Sequence, residues 1–338
     1  MFGFLQKSSK PGDAPWSANA VVVLRRQYTG YATFTRRYII ARSAALAVSA
    51  MSLRSKAAAE DVLEVAYAGS MTSVMEGPVK QTASAQLGLS LQGRAQGASG
   101  LAQLIVSSAI HPDVFISVTP GPMETVLKAG MAARAFPIAR TEMVIAYCPN
   151  SPFASRLKSA GQADTQPWWR ILEEPALRFG RTDPVTDPQG RNIIFVMQLA
   201  ARLYGQPDLV ERVLGPDINP RQIFTEPTVQ ARLQSGQLDA ASAYKIQPAS
   251  FNLPYLRLPE EINLGASSSA KYAAASLTLN GKTYHPEPLV YYAAALKDAP
   301  HASSAARFVE WLCNKSAQET LGRYHYDPPG DAGELTAK

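Results

Sequence analysis

Apolar residues along the chain recur in two rhythms. Short runs rich in β-branched or aromatic residues, Val62–Ala68, Val114–Val118 and Met143–Tyr147, are too brief for helices and predict strands. Leu238–Tyr244 and Leu289–Ala293 predict two more. Between them apolar positions fall at helical spacing: Leu101, Leu104 and Ile105; Ile193, Val196, Met197 and Ala200; Leu209, Val210, Val213 and Leu214; Ala305, Phe308, Val309 and Leu312. Met71–Glu76 predict a short helix that Gly77-Pro78 interrupts. This alternation predicts an α/β fold whose sheets are mixed but mostly parallel, flanked by helices. No Gly/Ser-rich or Pro-rich linker divides the chain. Two lobes joined by two hinge crossings account for that, with residues 60–142 and 248–338 in one lobe and 143–247 in the other.

Composition narrows the class. With 46% hydrophobic and 18% charged residues over 338 positions, the chain is globular rather than disordered or multi-span membrane. The net charge of +6 raises nucleic acid as a partner, and its distribution removes that suggestion. Residues 1–59 hold nine Lys and Arg against the single acid Asp13, so the remainder carries a net charge of −2. The basic segment contains Arg36-Arg37, a modest apolar stretch from Ala44 to Leu53, then Arg54, Lys56 and Ala57-Ala58-Ala59. These are the parts of an export signal of twin-arginine type, cleaved near Ala59. The apolar stretch is far shorter than the roughly 20 residues of a membrane span. A periplasmic location is therefore expected. Cys148 and Cys313 are too few for a zinc site or a redox pair, and small-hydrophobe core positions are expected for both rather than a disulfide.

Candidate chemistry sits at turns. Ala68-Gly69-Ser70, Gln96-Gly97-Ala98-Ser99-Gly100 and Thr182–Arg191 each place Ser, Thr or Asp where a helix starts after a strand. Helix N-termini present unpaired N–H groups and a partial positive charge, so several meeting at one cleft form an anion site that needs few charged side chains. Open α/β sheets deliver such turns to one edge. Taken singly, each of these residues is also an ordinary cap, and Asp187-Pro188 fits an N-cap followed by Pro at N1. His111, His285, His301 and His325 show no metal-binding spacing, and neither a Gly-x-Ser-x-Gly elbow nor a phosphate loop of Walker type occurs. Tyr291-Tyr292 lies in an apolar run and is expected to pack in the core, as is Trp168-Trp169 in the second lobe.

In order along the chain stand Ala66–Thr72, Gly97–Gly100, Pro112–Ser117, Thr182-Asp183-Pro184 with Asp187–Gly190, Ser235–Ala240 and Leu258–Leu264. This succession resembles extracellular solute-binding proteins of the molybdate/tungstate type, which serve ABC transporters. The resemblance implies a type II periplasmic-binding fold that closes on a small oxyanion, molybdate or tungstate first. It implies an inner-membrane ABC permease as partner, and a monomer without enzymatic activity, cofactor or resident metal. Carried over residue by residue, the first-lobe donors are Ser70 and Ser99 with the amides of Met71 and Gly100. The second lobe offers Asp187, Gln189 and Gly190 in one turn, and Tyr244. Some relatives carry an acidic residue where Ala243 stands, and carboxylates there approach the metal centre. Its absence implies a tetrahedral oxyanion held by hydrogen bonds, with Asp183 and Asp187 as caps facing away. Arg191 replaces a tyrosine of tungstate-type relatives; a charge-assisted contact and a solvated side chain both remain open for it. Sulfate, ferric ion, or an enzyme or sensor on the same fold are the alternative readings.

Overall fold

The computed structural model describes residues 61–160 and 166–337. The paired Arg36-Arg37 and the cleavage point after Ala59 lie outside the described residues. In chain order the strands are β1 (Asp61–Ala68), β2 (Leu89–Gln96), β3 (Val114–Ser117), β4 (Arg134–Arg140), β5 (Met143–Tyr147), β6 (Phe179–Gly180), β7 (Ala240–Tyr244), β8 (Tyr255–Arg257), β9 (Leu277–Leu279), β10 (Lys282–Tyr284), β11 (Val290–Ala295) and β12 (Leu335–Thr336). They form a six-stranded sheet in the order β12-β4-β11-β3-β1-β2, a four-stranded sheet in the order β6-β7-β5-β8, and the hairpin β9-β10.

Both sheets are mixed, and here the expectation of mostly parallel pairing is corrected. β1 runs parallel to β2 and β3, but β11 enters antiparallel between β3 and β4, and β12 adds antiparallel to β4. In the second sheet β6 and β7 are parallel while β5 opposes both β7 and β8. The cause is topological: a chain that crosses out through β5 and returns through β7 must run them in opposite directions. The second sheet also takes its edge strand β8 from beyond Gln247, so the chain rejoins the first sheet later than the predicted crossing. Where the crossings lie side by side, the Lys245 amide donates to the Glu142 carbonyl at 2.9 Å. The Glu142 carboxylate, 6% exposed, accepts from Arg257 at 2.9 Å and Asn263 at 3.0 Å, and Lys245 pairs with Asp327.

The apolar runs are continuous because the strands are covered on both faces. Every residue of β3, β5 and β7 is buried, as sheets flanked by helices require. The helix Ala302–Leu312 lies at the first sheet with Phe308 and Trp311 stacked at 5.8 Å. The helix Pro188–Leu203 is buried over most of its length beside the second sheet. Trp168 and Trp169 pack on Tyr204 with ring centroids 6.3 and 6.1 Å away, as expected for a core pair. Pro78 does not interrupt the chain as predicted: Met75–Val79 widen into a π-type turn and the helix continues over Lys80–Leu87. The wider turn accommodates a residue with no N–H to give. Cys148 is buried as expected, whereas Cys313 is exposed at the end of the 302–312 helix; both are free thiols.

Gly190 marks the tightest backbone approach near the start of the long helix. A Cβ there would lie 2.4 Å from the Thr182 carbonyl oxygen and 2.7 Å from backbone atoms of Asp183 and Pro184. We expect Gly190→Ala to lower stability by about 1–3 kcal/mol in urea titration, because backbone rather than a flexible side chain must yield; an unchanged midpoint would show that the turn is not packed this way.

Candidate functional site

The C-terminal ends of β1, β2, β6 and β7 open onto one cavity of about 580 Å³. Three helices begin at its wall. Ala98–Val106 starts from Gly97, and its first intrahelical bond is Leu101 N–H to Gly97 O, so the preceding amides have no partner in their own helix. Pro188–Leu203 starts from Asp187, whose carboxylate accepts from the Gln189 amide at 2.8 Å. Glu226–Gln234 starts from Thr225, and Thr225, Glu226 and Thr228 all line the cavity. Arg181 keeps the last two starts in register. Its backbone pairs with Gln222 and Phe224, and its buried guanidinium donates to the carbonyls of Pro216 and Asp217.

Two hydroxyls face the same space with their own positioning partners. Ser70 Oγ lies 3.0 Å from the hydroxyl of Tyr291, and the Tyr326 hydroxyl donates to the Ser70 carbonyl. Tyr244 accepts from Asn192 Nδ2 at 3.1 Å, which leaves its phenolic proton for another acceptor. Burial pushes the phenols of Tyr244, Tyr291 and Tyr326 above the ordinary tyrosine pKa, so all three stay protonated at neutral pH. Tyr291 is thus in the core as predicted, but its hydroxyl reaches a site residue.

Carboxylates share the wall. Asp183, Asp187 and Glu226 line the cavity, and none of the described lining residues is Lys, Arg or His. Asp183 and Asp187 do cap, Asp183 accepting from the Val185 amide at 2.8 Å, and both residues line the cavity. Burial raises the Asp187 carboxyl above its usual range, against the Gln189 amide and the charge of Arg191. Glu226 is pushed up to about 7 by burial and by the charge of Asp187, with the Gln247 amide opposing. Gln247 Nε2 donates to Glu226 and, at 3.1 Å, to Gln189 Oε1; Gln189 Nε2 in turn donates to the Ser242 carbonyl at 2.9 Å. Among the described residues no group of three His, Cys, Asp or Glu is placed to hold a metal ion.

The predicted residues divide. Ser70, Asp187, Gln189 and Tyr244 meet at the cavity, although the polar side-chain atoms of Gln189 are engaged elsewhere. Met71 is buried and is not among the lining residues. Gly190 gives its amide to the Asp187 carbonyl inside the helix. Ser99 and Gly100 are exposed, and Ser99 lines a neighbouring cavity of about 360 Å³ with Arg191, Lys282, Tyr284 and Glu287. Arg191 is neither solvated nor at the first cavity. Its guanidinium donates to the Pro184 carbonyl at 2.9 Å and stacks on Tyr284 at 4.5 Å. Glu226 and Gln247 were missed. Thr225-Glu226-Pro227 does carry a signal, an N-cap followed by an acid and a proline in the first turn, but nothing local to it says that the helix points at the same cleft.

The chain belongs to the bacterial extracellular solute-binding proteins, whose family model matches residues 63–327. It is 32% identical over 222 residues to the molybdate/tungstate-binding protein of Thermococcus kodakarensis, covering 58% of this chain and 62% of that relative, less than two thirds of its length. An uncharacterised solute-binding protein of Halobacterium salinarum is 29% identical over 289 residues, covering 84% of this chain and 90% of its own. In three dimensions the chain is similar to the periplasmic molybdate-binding protein of Azotobacter vinelandii, with a TM-score of 0.51 at 17% identity over 78% of this chain and 98% of that one. The fold is the two-lobed type II periplasmic-binding fold. No helix of the described residues is long and apolar enough to cross a membrane.

The Glu226 carboxyl makes stability depend on pH. Between its ordinary value near 4.5 and about 7 the folded protein holds a proton that the unfolded chain has released, so stability falls as pH rises through that window. In melts of the ligand-free protein, Glu226→Gln is expected to match wild type near pH 4.5 and to gain on it steadily up to pH 7.5. A gap independent of pH would contradict this placement of the carboxyl.

Proposed function

We propose that this solute-binding protein is the exported, periplasmic component of an ABC importer, and that it captures a small oxyanion between its lobes and presents the closed form to the permease. One lobe comprises residues 60–142 with the chain after Arg257, and the other the second sheet with its helices. The observation that carries the reading is the convergence of three helix N-termini with the Ser70 and Tyr244 hydroxyls on one cavity. The amides that open the 98–106 helix and the oriented hydroxyls suit an anion that must be released again, because neutral donors hold it without a permanent counter-charge. Molybdate or tungstate is the favoured ligand, since the Thermococcus relative is named for them. Ligand contacts made in the closed form and lost in the open one supply the energy of closure.

The alternatives fare less well on the same observations. A ferric-ion carrier of tyrosinate type needs tyrosine oxygens turned to the metal, whereas the Tyr291 and Tyr326 hydroxyls pair with the Ser70 hydroxyl and carbonyl and the Tyr244 oxygen accepts from Asn192. A hydrolase would need a base next to Ser70, whose hydroxyl neighbour is Tyr291. The protein accordingly works as a monomeric binder without turnover, with no nucleic-acid partner, and the basic leader with Arg36-Arg37 serves its export through the twin-arginine route. Sulfate carries the same charge as molybdate and is the competing oxyanion in this reading.

Melting of the ligand-free full chain against molybdate, tungstate, sulfate, phosphate and ferric ion tests the reading. A ligand at ~100 times its Kd adds about 2.7 kcal/mol of stability, or roughly 5 °C for a protein of this size. The rise is expected with molybdate and tungstate, and no rise with any oxyanion would refute the function. Because a hydrogen bond to a charged group contributes about 1.5–3 kcal/mol, Ser70→Ala should weaken molybdate roughly 10- to 100-fold. Ser99→Ala, in the neighbouring cavity, should change it less than about threefold.

A further inference from the structure

We propose that the site takes up one proton together with each oxyanion, and that Glu226 is the group that receives it. The inference rests on the oxyanion reading above and concerns the charge balance of that same cavity.

Glu226 stands where it must meet the ligand. Its Oε1 accepts from Gln247, which fixes the carboxyl, and its Oε2 lies 3.6 Å from where a Cβ of Gly69 would be. Gly69 is the residue before Ser70, so an anion accepting the Ser70 proton sits beside Oε2. The groups facing Glu226 from each packed element are neutral or acidic. They are Asp187 at the start of the 188–203 helix, Asp183 in the preceding turn, Tyr244 on β7, Tyr291 on β11, Tyr326 near the C-terminus and the Gln247 amide. On the first-lobe side Gly69, Ser70, Gly97 and Ala98 carry no charge. A doubly negative ligand entering this space meets carboxylates and no lining cation, and the Arg191 guanidinium is turned to the Pro184 carbonyl and Tyr284.

Protonating Glu226 resolves the conflict in two ways. It removes the negative charge nearest the Ser70 turn, and it converts Oε2 from an acceptor into a donor that can hydrogen-bond a ligand oxygen. Oε1 keeps its bond from Gln247, so no rearrangement is needed. The carboxyl is already poised for this, since burial and Asp187 place its titration at about 7; a bound dianion raises it further. Linkage then fixes the pH dependence. Below about pH 7 the proton is in place and affinity is flat; above it the proton must be drawn from solution, and Kd rises about tenfold per pH unit until the carboxyl of the complex itself titrates.

The test is calorimetric titration of the full-length protein with molybdate, which stays a dianion from pH 6 to 9, in two buffers of different ionisation enthalpy. Close to one proton taken up per anion is expected at pH 8.5, falling towards zero near pH 6, with Kd rising about tenfold from pH 7.5 to 8.5. Glu226→Gln, checked for folding by its melt, should show neither uptake nor a pH-dependent Kd, whatever its absolute affinity. Binding with a flat Kd and no proton uptake in the wild type would overturn the proposal and leave the oxyanion reading standing. Retention of the full pH dependence in Glu226→Gln would also overturn it, by assigning the proton to another group. Absence of oxyanion binding at every pH would overturn both.

Discussion

The hydrogen bond from the Lys245 amide to the Glu142 carbonyl fixes the place where the two sheets meet. The outgoing strand β5 and the returning strand β7 are thereby held side by side at their hinge ends, with Met143 opposite Tyr244. Tyr244 is consequently placed at the mouth between the sheets, and Gln247, three residues on, reaches back to Gln189 and Glu226. Around this pin the salt links Glu142–Arg257 and Lys245–Asp327 tie the crossings to later parts of the chain. Each leaves one partner substantially exposed, so their worth lies in fixing geometry more than in stability.

The hydrogen-bond donors of the cavity are partial charges rather than full ones. Three helix starts meet at it and their summed field favours negative charge, although the first amides of the 188–203 helix are already given to Asp187. The same field tolerates Asp187 and Glu226 at helix starts, where carboxylates are ordinary capping groups. Capping and ligand binding therefore compete for the same donors, as the Gln189 amide, already given to Asp187, illustrates. What remains for a ligand is a ring of neutral donors, Ser70 and Tyr244 foremost, each oriented by a buried partner. Tyr291 and Tyr326 act through Ser70 in this way, which explains why a tyrosine in an apolar strand is also next to the site.

Much of this was legible in the residues. β1, β3, β5, β7 and β11 follow from their apolar runs because those strands are buried on both faces, and the turns after β1 and before the 188–203 helix follow from Gly-Ser and Asp-Pro. The antiparallel direction of β11 did not follow, since direction depends on where a returning chain enters the sheet and leaves no local trace. Arg191 was ambiguous for a similar reason: its carbonyl partner Pro184 is local, but Tyr284 comes from a hairpin nearly a hundred residues later. Glu226 escaped because its role depends on three elements, β1, the 188–203 helix and the 246–250 helix, that meet in space alone. The resemblance to molybdate/tungstate binders pointed to position 243 for an acidic residue. In this chain a carboxyl reaches the cleft from position 226 instead.

The most direct test of the account is to locate the ligand. Crystals grown with tungstate, measured at the tungsten absorption edge, should give one strong anomalous peak in the cavity between Ser70 and Glu226, within hydrogen-bonding reach of the Ser70 and Tyr244 hydroxyls through the oxygens. A peak beside Arg191 and Lys282 in the neighbouring cavity, or no peak in either, would contradict it.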